Sequence, residues 1–179
     1  MKRVYKNSDC CAEVRWDSLS QDRLREILDY SPETGIFRWK VSRGGTARAG
    51  SIAGWKRPDG YVRINVDRKL HYAHRLAWLY VYGQRVTKEI DHINGDPSDN
   101  RIANLREASH SENLANQKLR ADNKAGFKGV SALADGTYLA AVQRQGEKVV
   151  AGYFRDPKKA SVAYLSSAQT VYGDFARES

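Results

Sequence analysis

The chain has 179 residues, with 30 Lys and Arg against 21 Asp and Glu, a formal charge of +9 and a pI near 9.6. That length allows one domain or two small ones, and the basic excess suits a polyanionic partner, with a merely soluble basic protein as the plain alternative. No apolar run approaches the ~18 residues of a membrane span, no signal-peptide pattern opens the chain, and the only cysteines, Cys10 and Cys11, are neighbours that rarely bridge each other. The expectation is a reduced intracellular protein with no membrane partner.

The basic excess is not confined to a tail: residues 1–123 hold 22 basic and 16 acidic side chains, and residues 124–179 hold 8 and 5. Residues 1–16 are mixed and charged, without periodicity, and read as a loose tail. From Ser20 an amphipathic helix is predicted, capped by Ser20, with Leu24, Ile27 and Leu28 on one face and Ser31-Pro32 ending it. The turn Pro32-Glu33-Thr34-Gly35 leads into an alternating strand, residues 36–41. Residues 42–60 are rich in Gly, Arg and Lys and read as a flexible basic loop; lying along a phosphate backbone and plain solvation fit equally well. Tyr61 to Val66 alternates cleanly, Asp67-Arg68-Lys69 turns, and Leu70 to Ala73 returns, which predicts a hairpin. His74 to Tyr82 reads as a short helix closed by Gly83.

Residues 89–116 carry the chemistry. Asp91-His92 sets an acid beside an imidazole, a loop crowded with Gly, Pro, Asp and Asn follows, and a helical pattern bearing Asn113 closes the segment. A phosphodiester repels hydroxide, so its hydrolysis wants a cation on the phosphate and a base for water. A hard ion such as magnesium takes oxygen ligands and keeps several waters, so one carboxylate and one amide oxygen suffice. Asp91 and Asn113 can supply them, and His92 is a suitable base at neutral pH. Adjacent strand residues point to opposite sides, so both can serve one phosphate only where the strand ends, as the turn residues Asn94-Gly95-Asp96-Pro97 indicate. Turn chemistry alone is the plain reading of each of these residues taken singly.

In order and spacing the stretch resembles the HNH nuclease motif, in the phage and intron-homing form where Asn replaces the last His. The resemblance implies a ββα-metal fold, Asp91 and Asn113 as metal ligands, His92 as general base, and Asn104 as the middle Asn that pins the loop and orients the His. It implies magnesium or manganese. The Cys-x-x-Cys pairs of zinc-knuckle versions are absent, so no structural zinc is expected. Ala-His-Arg-Leu-Ala-Trp-Leu-Tyr at 73–80 also resembles the family just upstream of its site, which makes His74 a structural residue at a helix start. His110 and Asn116 are set aside as ligands.

Beyond residue 123, residues 126–131 read as a strand, Asp135-Gly136 as a turn, 137–144 as a second strand and 148–154 as a third. Asp156-Pro157 then opens a helix through about Tyr172, which Gly173 ends. A three-stranded antiparallel sheet against one helix follows. Nearly all of 124–177 resembles the AP2/ERF DNA-binding domain, whose sheet lies in the major groove. That implies an outward face including Lys128, Ser131, Leu133, Leu139, Ala141, Gln143, Lys148 and Val150, with phosphate anchoring by Lys128, Arg144 and Lys148. Leu, Ala and Val stand where the plant domains carry Arg and Trp. Strong base readout is therefore not expected, and a module that only packs on the nuclease is the alternative.

The sequence thus predicts an α+β chain: a tail over 1–16, an HNH nuclease domain over 17–122, and an AP2-like module over 123–179 that binds DNA through Lys128, Ser131, Gln143, Arg144 and Lys148. It predicts a homing-type DNA endonuclease that acts on double-stranded DNA as a monomer, takes no small-molecule substrate, and is phage-encoded and cytoplasmic in a bacterial host. The rival is a catalytically inactive AP2-type DNA-binding regulator; an RNA-directed nuclease is a third reading.

Overall fold

The computed structural model describes residues 19–119, 122–144 and 146–177. The tail read over 1–16 lies outside them. Helix α1 (Gln21–Ile27) starts at Ser20, whose hydroxyl accepts from the Arg23 N–H at 3.1 Å. It buries Leu24 and Ile27 and stops four residues before the predicted end. Leu28–Ser31 is instead strand β1, antiparallel to β2 (Ile36–Trp39), with Leu28 opposite Trp39. Leu24, Ile27 and Leu28 fit a helix as well as they fit its end, and the pairing decides: a period of two buries Leu28 and Tyr30 together with Phe37 and Trp39.

The β1–β2 turn closes on Gly35 at φ 72°, and a Cβ there would stand 2.5 Å from the Arg101 nitrogen. That contact, with the Tyr30 hydroxyl donating to the Asn100 carbonyl at 2.7 Å, anchors the loop that later carries the site.

Strand β3 (Trp55–Lys56) lies within the stretch read as loop. It pairs with β4 (Val62–Val66), which pairs with β5 (Lys69–Tyr72). The β4–β5 turn puts Asp67 and Arg68 at φ 49° and 64°; Arg23 and Arg43 both bond the Asp67 carboxylate, at 3.2 and 2.7 Å. Helix α2 (Ala73–Tyr82) follows and ends at Gly83. Next come β6 (Glu89–His92), a 3-10 turn at Ile102–Asn104, β7 (Leu105–Ala108) and α3 (His110–Asn116). Strands β6 and β7 pair antiparallel, with Asp91 opposite Arg106 and His92 opposite Leu105. One apolar core joins α1, the β1–β2 hairpin, β4, α2 and the inner residues Ile90 and Leu105 of the β6–β7 pair.

A second core lies under the sheet of β8 (Val130–Ala132), β9 (Tyr138–Arg144) and β10 (Glu147–Phe154), with β9 central. Helix α4 (Pro157–Tyr172) covers it with Ala160, Tyr164 and Ala168, and Asp156 caps its start. Strand β8 begins four residues later than the sequence predicts. Gly126 and Gly129 take φ 72° and 67°, outside strand geometry, and a Cβ on Gly129 would stand 2.0 Å from the Tyr164 ring. Among the described residues no helix is long and apolar enough to cross a membrane.

Candidate active site

Strand β6 ends at His92, where the Gly95 N–H donates to the His92 carbonyl at 2.7 Å and Gly95 takes φ 66°. Both Asp91 and His92 are buried, 4% and 5% exposed. They keep the alternation of a strand. Asp91 faces α3: the Asn116 amide donates to its two oxygens at 2.9 and 3.0 Å, and Arg106 Nε, directly across the pair, donates to Oδ2 at 2.9 Å. His92 faces α2 and β4, its ring edge-on to His74 at 5.1 Å and to Tyr61 at 6.0 Å between centroids.

Burial pushes the His92 imidazole below its ordinary value; Asn100 and the carboxylates of Asp91, Asp96 and Asp99 pull the other way. Among the described residues its Nε2 and the Asn100 Oδ1, both buried, have no hydrogen-bond partner. His74 is pushed down further, by burial and then by the charges of His92 and Arg75. It sits stacked on Tyr72 at 5.4 Å, behind His92 at the start of α2.

Asn104 closes the loop. Its Oδ1 accepts from the Asn94 N–H at 3.0 Å, and its amide donates to Asn94 Oδ1 at 3.0 Å and to the Asp99 carbonyl at 2.9 Å. The carboxylate of Asp99, held down to about 2 chiefly by its hydrogen bond from Arg101, also accepts from the Asn94 amide at 2.7 Å. The loop between β6 and β7 is thereby tied at both ends next to the imidazole.

Asn113 does not meet Asp91. Its amide donates to the Glu89 carboxylate, which also takes His110 Nδ1 at 2.8 Å. The α3 amide on Asp91 is Asn116, one helical turn further on the same face and 5% exposed. The sequence offered a signal in its second Asn at i+3; what it lacked was the rotation of α3 on the sheet. Arg106 was missed for a similar reason, since only the register of β6 and β7 sets it opposite Asp91.

The DNA-binding set separates. Ser131 (opposite Leu139), Gln143 and Lys148 share the sheet face away from α4, with Gln143 opposite Lys148. Arg144 alternates with buried Val142 and Ala140, so it lies on the α4 side, near enough for its charge to act on the Tyr172 hydroxyl. Lys128 is not an outward anchor. Its ammonium donates to the Ala115 carbonyl and, at 2.6 Å, to the Gln117 carbonyl, at the C-terminal end of α3. Unpaired carbonyls there attract a cation. Burial, with Arg177 adding to it, lowers the Lys128 pKa to about 8, while Asp91 opposes.

Residues 71–115, spanning β5 to α3, match the family model of the HNH endonuclease. Within that segment lie β6, the tied loop, β7 and α3 except its last residue. The solved structure titled "DNA binding and cleavage by the HNH homing endonuclease I-HmuI" is 23% identical, with a TM-score of 0.39. The match covers 49% of this chain and 49% of that one, so this chain spans about half the length of its structural relative. No curated protein matches.

The HNH segment offers oxygen donors: the Asp91 carboxylate and the amides of α3. Among the described residues no three His, Cys, Asp and Glu side chains gather for a metal, so a cation here would rest on one carboxylate with amide and water oxygens. That set suits a hard divalent ion. Arg106 and the Asn116 N–H now occupy that carboxylate.

Proposed function

We propose that the chain is a metal-dependent DNA endonuclease of the homing type, hydrolysing phosphodiester bonds with His92 as general base. The observation that carries this reading is the Asp91–His92 pair at the end of β6, beside a loop tied by Asn104, inside the segment that matches the HNH endonuclease model. Burial favours the neutral imidazole, the form able to take a proton from water at pH 7. Asn104 and Asp99 hold the loop against movement while that proton transfers. Asp91 and one amide of α3 would hold the cation: Asn113 by the family pattern, or Asn116, which meets Asp91 through its amide N–H and would have to turn its oxygen inward. Magnesium or manganese bound there would polarise the phosphate and stabilise the leaving oxygen.

The resemblance of 124–177 to AP2/ERF domains supports a tether to double-stranded DNA, with Ser131, Gln143 and Lys148 on its outward face. A monomer working inside a bacterial host, phage-encoded, completes the proposal. One observation favours the runner-up, a catalytically inactive DNA-binding regulator: the ion pair of Asp91 with Arg106 occupies the carboxylate a cation would need.

Incubation of the purified protein with supercoiled plasmid separates the two. Nicked or linear product with magnesium, none with a chelator, and none from His92→Ala at unchanged DNA affinity is the expected result. The proton transfer that His92→Ala removes corresponds to about 10²–10⁴ in rate. Undiminished cutting after chelation, or by His92→Ala, sinks the site as drawn; binding without cutting under every condition favours the regulator.

A further inference from the structure

The end of the described chain lies on the neighbours of Asp91 and His92. Arg106 is held by three contacts: Nε on Asp91 at 2.9 Å, Nη1 donating to the Asp174 carbonyl at 3.1 Å, and the guanidinium carbon 3.6 Å from the centre of the Phe175 ring. Two residues on, Arg177 Nη1 donates to the Asn94 carbonyl at 3.0 Å, two residues past His92. A Cβ on Gly95 would stand 2.0 Å from that nitrogen, so a side chain there would make the guanidinium shift. Asp174 and Phe175 belong to the 3-10 turn that closes α4, Gly173–Phe175, which packs on α3. The segment therefore touches β7 and the Asn104-tied loop, on either side of the buried Asp91 and His92.

Charge makes these contacts consequential. A cation ligand must present a free carboxylate, and here the Asn116 amide and a fixed guanidinium both bond it at short range; of the two only the guanidinium carries a charge that opposes a cation, and the arginine side chain is 17% exposed. The ring of Phe175 and the Asp174 carbonyl stabilise that guanidinium where it stands. Among the described residues its third nitrogen, Nη2, is buried without a hydrogen-bond partner.

We propose that Gly173–Arg177 is an autoinhibitory strap that fixes Arg106 on Asp91, so that Arg106 and a divalent cation compete for one carboxylate. The proposal rests on the reading of Asp91 as a cation ligand. Loosening the strap raises cation affinity, and seating it lowers cation affinity.

The test is manganese binding to the full-length protein without DNA, followed at pH 7 by the loss of the free-ion EPR signal. The strap predicts tighter manganese binding in Arg106→Gln, by about tenfold, the equivalent of one charge-assisted hydrogen bond of modest strength. It predicts a smaller gain in the same direction for Phe175→Leu, which removes the ring but keeps an apolar side chain. Arg177→Ala, which frees the segment from Asn94 without entering the second core, should tighten binding too, and it keeps the test valid if Phe175→Leu folds poorly. Asp91→Ala should abolish binding. If Asp91→Ala abolishes binding while Arg106→Gln and Arg177→Ala leave it unchanged or weaker, the strap is wrong and the cation site stands. If Asp91→Ala binds manganese like the parent, the cation site itself is wrong, and the strap falls with it.

Discussion

Asn104→Ala tests whether the loop after His92 is held as described. The side chain is 7% exposed and makes three hydrogen bonds: one accepted from the Asn94 N–H at 3.0 Å, and two donated, to Asn94 Oδ1 at 3.0 Å and the Asp99 carbonyl at 2.9 Å. Each such bond contributes about 1 kcal/mol net, and the Asn94 N–H left behind is part-buried, so the loss should be roughly 2–3 kcal/mol. For a chain of this size that lowers the melting midpoint by about 5–10 °C. Cleavage should fall further than stability explains at a temperature where the variant is still folded, because the turn at Gly95 closes on the His92 carbonyl and is no longer tied from across the loop. Asn104→Asp is the sharper variant. It keeps the acceptor for Asn94, loses both donated bonds, and sets a carboxylate against Asn94 Oδ1 and the Asp99 carbonyl. Calorimetry gives the midpoint and single-turnover plasmid nicking gives the rate. An Asn104→Ala protein that melts and cuts like the parent would show that the three bonds do not hold the loop.

Two further expectations concern the lysines. Lys148→Ala should lower the slope of log DNA affinity against log salt by about 0.9 if Lys148 meets a phosphate, whereas Lys128→Ala should leave the slope unchanged, since its ammonium is spent on α3; equal slopes for Lys148→Ala and parent would remove the sheet face as the anchor. The Lys128 pKa is lowered from 10.5 to about 8 in the fold, so between these values the unfolded chain binds more protons and stability rises with pH. The difference in melting midpoint between the parent and Lys128→Met should therefore move in the parent's favour from pH 8 to pH 10.5, and a difference independent of pH would refute the burial of that ammonium.

Much of the local structure was legible in the sequence because short-range chemistry dictates it. Ser20 and Asp156 cap the helices they precede, Gly83 and Gly173 end α2 and α4, and the alternation of 61–66 and 137–144 marks strands. The order Asp91, His92, Asn104, Asn113 pointed to the segment that matches the HNH endonuclease model. Tertiary structure decided what depends on partners far along the chain. Leu28–Ser31 became a strand because Ile36–Trp39 lies beside it. Trp55–Lys56 became one because β4 offers an open edge. The rotation of α3 on β6 put Asn116 against Asp91 and turned Asn113 to Glu89. Lys128, a basic residue of no particular pattern, was drawn to the carbonyl end of that helix, 11 and 13 residues back. Register set Arg106 across from Asp91, and chain return set Asp174, Phe175 and Arg177 on Arg106 and the loop after His92. A sequence states the charges and the local periods; which charge meets which is fixed only when the elements pack.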